Sequence, residues 1–452
     1  MAGDDTPRGT MTVRGAVFLG VGAMVGAGIF ALLGEAGTVA GSAVWLSFLL
    51  AGVVAALLGY TVVKLGVRYP SSGGIIAYLM EGFGNGRLVG IASWLGYIAA
   101  IVIVCAMVAV SFGSYASSLF FGNDAAPIWG HVFTTAVILA ALAVNVVGSK
   151  IVDRAQTLIV LALLAVFAVF IVVTITDVDW SLLAFSGYPS VSDIVASVAL
   201  TFFAYLGFSV ISFAGGDLAD PARELPRAMY AALGLTAGLY VLISLGVFGT
   251  LPVDQVVGYG ETAIAEAARP SLGDAGFAMM AIAALLATSS SVNATLYASG
   301  GLTRMLAAAG QFPPLFGAQS RLGEHSGLII TAVVVGIVAN IVDLSAIASV
   351  GSAIALVVFL LVALAGYRRR ADTGAHAAIV LAAIGVTAIV LVFFVIDTLR
   401  NDPGTFVAIV LIAILAVALD FFWKRARPAA DAADAADAAA GPEPVVGTAA
   451  GA

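Results

Sequence analysis

The sequence predicts an all-α integral membrane protein with about a dozen transmembrane helices. Three observations predict it. Of 452 residues, 62% are hydrophobic and 10% charged, against roughly 25% charged in a soluble domain. The apolar residues come in repeated runs of about 20, the length that one helix needs to cross the bilayer core. The Lys and Arg residues sort between the connecting segments as topology rules require.

Read in order, the spans fall near 16–38, 42–65, 87–114, 129–149, 155–176, 192–215, 228–250, 274–300, 327–343, 345–366, 377–397 and 404–424. Residues 1–14 read as a polar cytoplasmic segment and 15–426 as the transmembrane domain. Residues 427–452 are rich in Ala with spaced Asp431, Asp434 and Asp437, a composition that predicts a disordered tail. With the N-terminus inside and the spans alternating, only Arg269 and Arg400 of the 19 Lys and Arg fall on outer loops. A wrong span count would scramble this sorting from the error onward. The expectation is therefore an even number of spans in the cell membrane, with both termini cytoplasmic.

Composition also excludes function classes. The connecting segments are too short for a soluble catalytic domain. No basic face exists to hold a nucleic acid. Cys105 is the single cysteine, so no disulfide framework or Cys-based metal site can form within the chain. His131, His325 and His376 are scattered at span ends and argue against a metal centre. No cofactor motif is present. The first apolar run is long and lacks the small-residue cleavage pattern of a signal peptide.

Two spans are interrupted. The first reads Gly20-Val-Gly-Ala-Met-Val-Gly-Ala-Gly-Ile-Phe30, and glycine inside a helix costs about 1 kcal/mol relative to alanine. One reading is close helix packing through small residues. The other is a discontinuous helix, whose exposed amides and carbonyls are tolerable at mid-membrane only around a polar ligand or cavity. A dinucleotide fingerprint is excluded, because no strand precedes the glycines and position 25 is Val. The sixth span reads Phe202-Phe-Ala-Tyr-Leu-Gly-Phe208, then Ser209, Ser212, Gly215 and Gly216. It opens the second group of five spans as the glycine-rich span opens the first, and such matched interruptions point to a transporter binding site.

These residues carry a resemblance. Gly26-Ala-Gly-Ile-Phe30 resembles the glycine signature of the amino acid–polyamine–organocation (APC) superfamily. Arg68-Tyr-Pro-Ser-Ser-Gly-Gly74 is similar to its inner-loop motif, and Phe203-Ala-Tyr-Leu-Gly207 with Asp217 and Asp220-Pro-Ala-Arg-Glu-Leu-Pro226 to its sixth helix and following loop. Ala287-Thr-Ser-Ser-Ser-Val-Asn-Ala294 with Arg304 resembles its eighth helix. The resemblance spans roughly residues 12–425. It implies a five-plus-five inverted repeat with discontinuous helices 1 and 6, two further helices, and a secondary transporter of amino acids working by alternating access. Carried over by position, the Ala27 and Gly28 amides would hold a substrate carboxylate, and the Met24, Phe203 and Leu206 carbonyls its ammonium. Gly26, Ile29, Tyr205 and Gly207 complete the implied substrate site. Backbone dipoles can meet both charges of a zwitterion without importing a fixed charge. The chain departs from the superfamily at Lys64, where many members are acidic, and in Leu158-Ile-Val-Leu-Ala-Leu-Leu164, where some proton-coupled members carry a lysine.

Other residues are weighed individually. Glu35, near the outer end of the first span, serves proton coupling or gating, or else lies in interfacial water. Ser289 and Ser290 contribute to a sodium site, or bond back to their own helix. Tyr97, Phe203, Tyr205 and Tyr297 are aromatic candidates for the pocket wall. Asp217, Asp220, Arg223 and Glu224 form either a gate or a solvated loop. The absence of an acid near the implied site favours small or neutral amino acids. The coupling ion is H+ or Na+. A membrane-embedded enzyme would need paired acids or a His with a nucleophile at membrane depth; Gly215-Gly-Asp217 has no second intramembrane Asp to match it.

Overall fold

The computed structural model describes residues 11–70, 74–84, 86–122, 125–147, 152–216, 218–317, 323 and 325–440, with the side chains of 27, 152–156, 213–216 and 426–440 excepted. Asp217, Lys150, Arg321 and the Ser71-Ser72-Gly73 part of the inner-loop motif lie outside the described residues.

Among the described residues the chain is built of helices without strands. The first span is two helices, α1 (Val13–Ala27) and α2 (Ile29–Ala40), separated at Gly28. Thr12 starts α1 by accepting a hydrogen bond from the Gly15 amide at 3.1 Å. Then come α3 (Val44–Arg68), α4 (Gly74–Phe83) and α5 (Arg87–Tyr97). A π-helical turn over Ile98–Ile103 joins α5 to α6 (Val104–Phe121). Helices α7 (Ile128–Val147) and α8 (Val152–Thr176) complete the first half.

The second half opens with α9 (Val191–Phe203), begun by a capping box between Ser190 and Asp193. A 3-10 segment over Leu206–Gly216 follows, and the two pieces meet at 42°. Next are α10 (Pro221–Thr250), α11 (Val253–Tyr259) and α12 (Ala263–Ala308), the last interrupted at Gly273, whose φ is +63°. Helices α13 (Ser326–Ile341), α14 (Leu344–Arg368), α15 (Arg370–Thr373), α16 (Ala377–Asn401) and α17 (Pro403–Ala440) close the chain. The backbone of α17 stays helical beyond Pro428, into the region where composition predicts a disordered tail. Its alanines are the best helix formers.

Where the structure describes them, the predicted spans fall largely on helical backbone. Nine segments among the described residues are long and apolar enough to cross a bilayer, or ten when α9 and the 3-10 segment after it count as one. The reason for fewer than twelve is local. The break at Gly28 leaves α1 short and runs α2 into α3, and α13 has only 16 residues.

Burial separates the centre from the lipid face. In the α5–α6 segment 78% of the apolar window is buried, against 17% in α17. Leu381, Ile389 and Val392 of α16 and Leu411 and Ile414 of α17 are exposed, as lipid-facing positions require. α1 packs against α10, α12 and the 3-10 segment, and α3 against α9 and α10. Basic residues from two distant segments, the end of α14 and α17, converge on one end. Arg369 donates to the Glu81 carbonyl at 2.8 Å, Lys424 to that of Gly86 at 3.2 Å, and Arg368 stacks on Phe83 at 4.5 Å.

Candidate functional site

The two interruptions face each other. Gly28 abuts Ala204, the residue after α9: a Cβ at Gly28 would lie 2.8 Å from both the Cβ and the carbonyl oxygen of Ala204, and would collide with the Tyr240 hydroxyl. Reciprocally, a Cβ at Gly207 would lie 2.5 Å from the Ala23 carbonyl carbon and the Met24 nitrogen. Gly26 presses on α12, where a Cβ would come within 2.9 Å of the Ala287 oxygen and of Ser291 Cβ. Glycine is required here because backbone meets backbone. Any side chain would push the segments apart.

This contact exposes main-chain polar groups that a continuous helix would satisfy. α2 begins at Ile29 without a side-chain cap, so its opening amides point at the break. On the other side of the break is the Met24 carbonyl. Its partner is Tyr240 of α10, whose hydroxyl donates to Met24 O at 2.7 Å and also reaches Ala204 O at 3.2 Å. One proton is thus shared between the acceptors freed at each break. Tyr240 is wholly buried, with its ring 5.1 Å from those of Phe48 and Tyr205. Tyr205 in turn donates to the Phe48 carbonyl at 2.9 Å. After Phe203 the chain makes 3-10 bonds, Tyr205 N to Phe202 O and Phe208 N to Tyr205 O, both at 2.9 Å.

The structure therefore brings together Met24, Gly26, Gly28, Ile29, Phe203, Tyr205, Leu206 and Gly207, all nearly buried or half-buried. Ala27 shares their backbone. The Phe203 ring packs on Gly351 of α14 and leaves no room there for a Cβ. Within Met24–Gly28 and Phe203–Gly207 there is no acidic or basic side chain, so the electrostatics of the breaks are those of backbone dipoles and tyrosine hydroxyls.

Other candidates lie elsewhere. Ser289 is half-buried and its hydroxyl donates to Leu286 O at 3.2 Å, back on its own helix. The face of α12 that meets α1 carries Ala287 and Ser291 instead, while Ser290 sits one residue off that face. Tyr97 bonds Thr331 at 2.8 Å and meets the rings of Phe312, Phe316 and Trp94 edge to face. Tyr297 is 76% exposed. Arg223 and Asp220 pair locally at 3.7 Å and are both exposed, and Glu224 caps the Asp220 amide at 3.1 Å. Glu35 lies two turns beyond Gly28, about 10 Å along the helix. A groove of about 400 Å³ lies apart from the breaks, between α7 and α13, lined by Ile138, Leu142, Gly336 and Asn340.

Sequence reasoning missed Tyr240. The only signal was a lone tyrosine inside an apolar run, and a buried tyrosine hydroxyl usually finds an acceptor.

Comparison with known proteins decides the family. The amino acid permease family profile matches residues 11–418. The chain belongs to the amino acid permeases, within the APC superfamily. The permease is a multi-pass membrane transporter and not an enzyme. It is 31% identical over 379 residues to the inner membrane transport protein YbaT of Escherichia coli, covering 84% of this chain and 88% of the relative. It is 30% identical over 326 residues to the methylthioribose transporter of Bacillus subtilis, 68% of this chain and 69% of the relative. It is 27% identical over 274 residues to the serine/threonine exchanger SteT of the same organism, 59% and 61% respectively.

Proposed function

We propose that the permease carries small or neutral amino acids across the cell membrane by alternating access, gripping the substrate's charged ends at the two breaks. One observation carries this reading: the meeting of Gly28 with Ala204 and of Gly207 with Met24, where backbone carbonyls are met by hydroxyls and the two broken segments carry no charged side chain. The opening amides of α2 suit a carboxylate. The Met24, Phe203 and Leu206 carbonyls suit an ammonium, which competes with the Tyr240 hydroxyl for Met24. A cationic side chain would find no counter-charge there, which disfavours polyamines. The serine/threonine exchange named for SteT agrees with a small neutral substrate, and the methylthioribose transporter makes methylthioribose a necessary control. Both termini face the cytoplasm in this reading, from the Lys and Arg sorting.

The test is counterflow of labelled amino acids in proteoliposomes. Exchange of serine, threonine or alanine is expected, and no uptake or exchange of any amino acid would sink the proposal. Gly28→Val should insert and fold yet lose substrate binding at least about 100-fold, since its side chain would drive the two breaks apart. Wild-type affinity in that variant would place the site elsewhere.

A further inference from the structure

α2 connects the break to a second polar locus. Gly34 is pressed against Gly260, so that a Cβ at Gly34 would lie 2.8 Å from the Gly260 carbonyl carbon and 2.9 Å from its Cα. The next residue on each side of this contact is a glutamate, Glu35 in α2 and Glu261 in the Gly260–Thr262 turn. Both are only partly exposed. Ser345 at the start of α14 favours the charged form of Glu35, and Ser114 of α6 that of Glu261. The two carboxylates act on each other electrostatically. An independent observation points to the same place. Tyr115, beside Ser114, is fully buried, its hydroxyl has no hydrogen-bond partner, and it lies in the field of Glu261. A buried hydroxyl left without a partner is costly unless another species completes its bonding.

Among the described residues neither glutamate pairs with a Lys or Arg. The titratable groups at this end of the packed elements are Asp193 of α9, Asp254 and Tyr259 of α11, Glu266 of α12 and Asp343 before α14. Arg269 is the base nearest in sequence, and Glu266 at 2.9 Å and Asp274 already hold it. Arg14, Lys64, Arg68, Arg304 and Arg368 sit at the opposite ends of their helices. No third acid or histidine joins the pair as a metal-binding group among the described residues. Two like charges in a partly dry site repel, and one shared proton removes the repulsion while adding a hydrogen bond.

We propose that Glu35 and Glu261, with the Tyr115 hydroxyl, form a proton-binding site that couples transport to the proton gradient. The proton enters from water, and the bond that forms is between it and one carboxylate oxygen, with the other carboxylate accepting the hydrogen bond. A proton bound there seats the end of α2 on the Gly260–Thr262 turn. Its loss restores the repulsion and frees α2 to move. Because α2 also starts at Gly28, the proton and the substrate bias the same rigid element. The inference rests on the amino acid carrier reading, since it needs α2 to move with substrate.

The experiment uses the full chain in proteoliposomes holding a pH-sensitive dye, with the amino acid that gives counterflow. An inward proton gradient is expected to raise wild-type uptake about tenfold, within the usual range of coupling energies, and substrate should acidify the lumen. Glu35→Gln and Glu261→Gln should each lose that gradient response while still exchanging substrate. A gradient response retained in either variant, or a sodium gradient that replaces the proton gradient, overturns the site. A readout without substrate separates the two proposals: infrared difference spectra between about pH 5 and pH 8 should show a protonated carboxyl band that both variants lose. A wild type with that band but no amino acid flux sinks the carrier reading alone. Counterflow without the band sinks the proton site alone. Tyr115→Phe, which removes one buried hydroxyl, covers the case of glutamine variants that fail to fold. It should move the pH at which the band titrates, and an unmoved titration overturns the site.

Discussion

Tyr240 is where local chemistry decides most. Its hydroxyl covers the Met24 and Ala204 carbonyls at 2.7 and 3.2 Å in a fully buried setting. Removing it leaves buried acceptors unsatisfied, at about 1–3 kcal/mol. Tyr240→Phe should therefore melt several degrees lower in detergent. In the proposed carrier it should also bind amino acids more tightly, because the ammonium no longer competes with a hydroxyl for Met24. Thermal melting with and without amino acid measures both effects, and a variant as stable as wild type would show that the carbonyls have another partner. The contrast with the glycines is instructive. Gly26, Gly28 and Gly207 were legible because glycine is conspicuous inside an apolar helix, and each now has a backbone neighbour that explains it. Tyr240 was not, since nothing local distinguishes a tyrosine facing a break from one facing lipid. Nor could three consecutive serines, Ser289 to Ser291, reveal which one faces α1, because helix phase is set by packing.

At the scale of elements, the interruptions were legible and their partners were not. The sequence marks the first and sixth spans as broken, but the meeting of Gly34 with Gly260 joins residues more than 200 apart, and no pattern within either segment encodes it. This yields a paired prediction. Gly34→Ala should destabilise by about 1–3 kcal/mol, since the Gly260 backbone cannot yield without shifting a turn. Gly234→Ala in α10, where a Cβ meets nothing within 4 Å, should be neutral or stabilising by up to about 1 kcal/mol. Melting temperatures of the two variants test this directly. Equal destabilisation would mean that α2 does not seat on that turn. The π-turn at Ile98–Ile103 is a further feature that apolar periodicity could not show. One extra residue per turn leaves hydropathy unchanged.

Across the whole molecule, the apolar runs made the all-α membrane architecture legible, because the bilayer imposes a length that a linear sequence must obey, while the charge sorting predicts a sidedness. The structure adds a spatial fact: Arg368 and Arg369 at the end of α14 and Lys424 of α17 converge on the α4–α5 junction although the two helix ends are more than 50 residues apart. The sorting predicts that a cysteine placed at Ala375 is labelled only from the cytoplasmic side, and one at Asp402 only from the outside. Cys105 is buried, so it should stay silent toward a membrane-impermeant thiol reagent. Labelling of either position from the wrong side would overturn the orientation.

The Tyr240 bridge also bears on the kinetics of the return stroke. A carrier that accumulates solute must recross with nothing aboard, and bare carbonyls at mid-membrane would make that leg slow. A built-in hydroxyl that satisfies both breaks removes this obstacle and makes net uptake feasible rather than strict one-for-one swapping. In Tyr240→Phe, net flux should accordingly fall more than exchange flux.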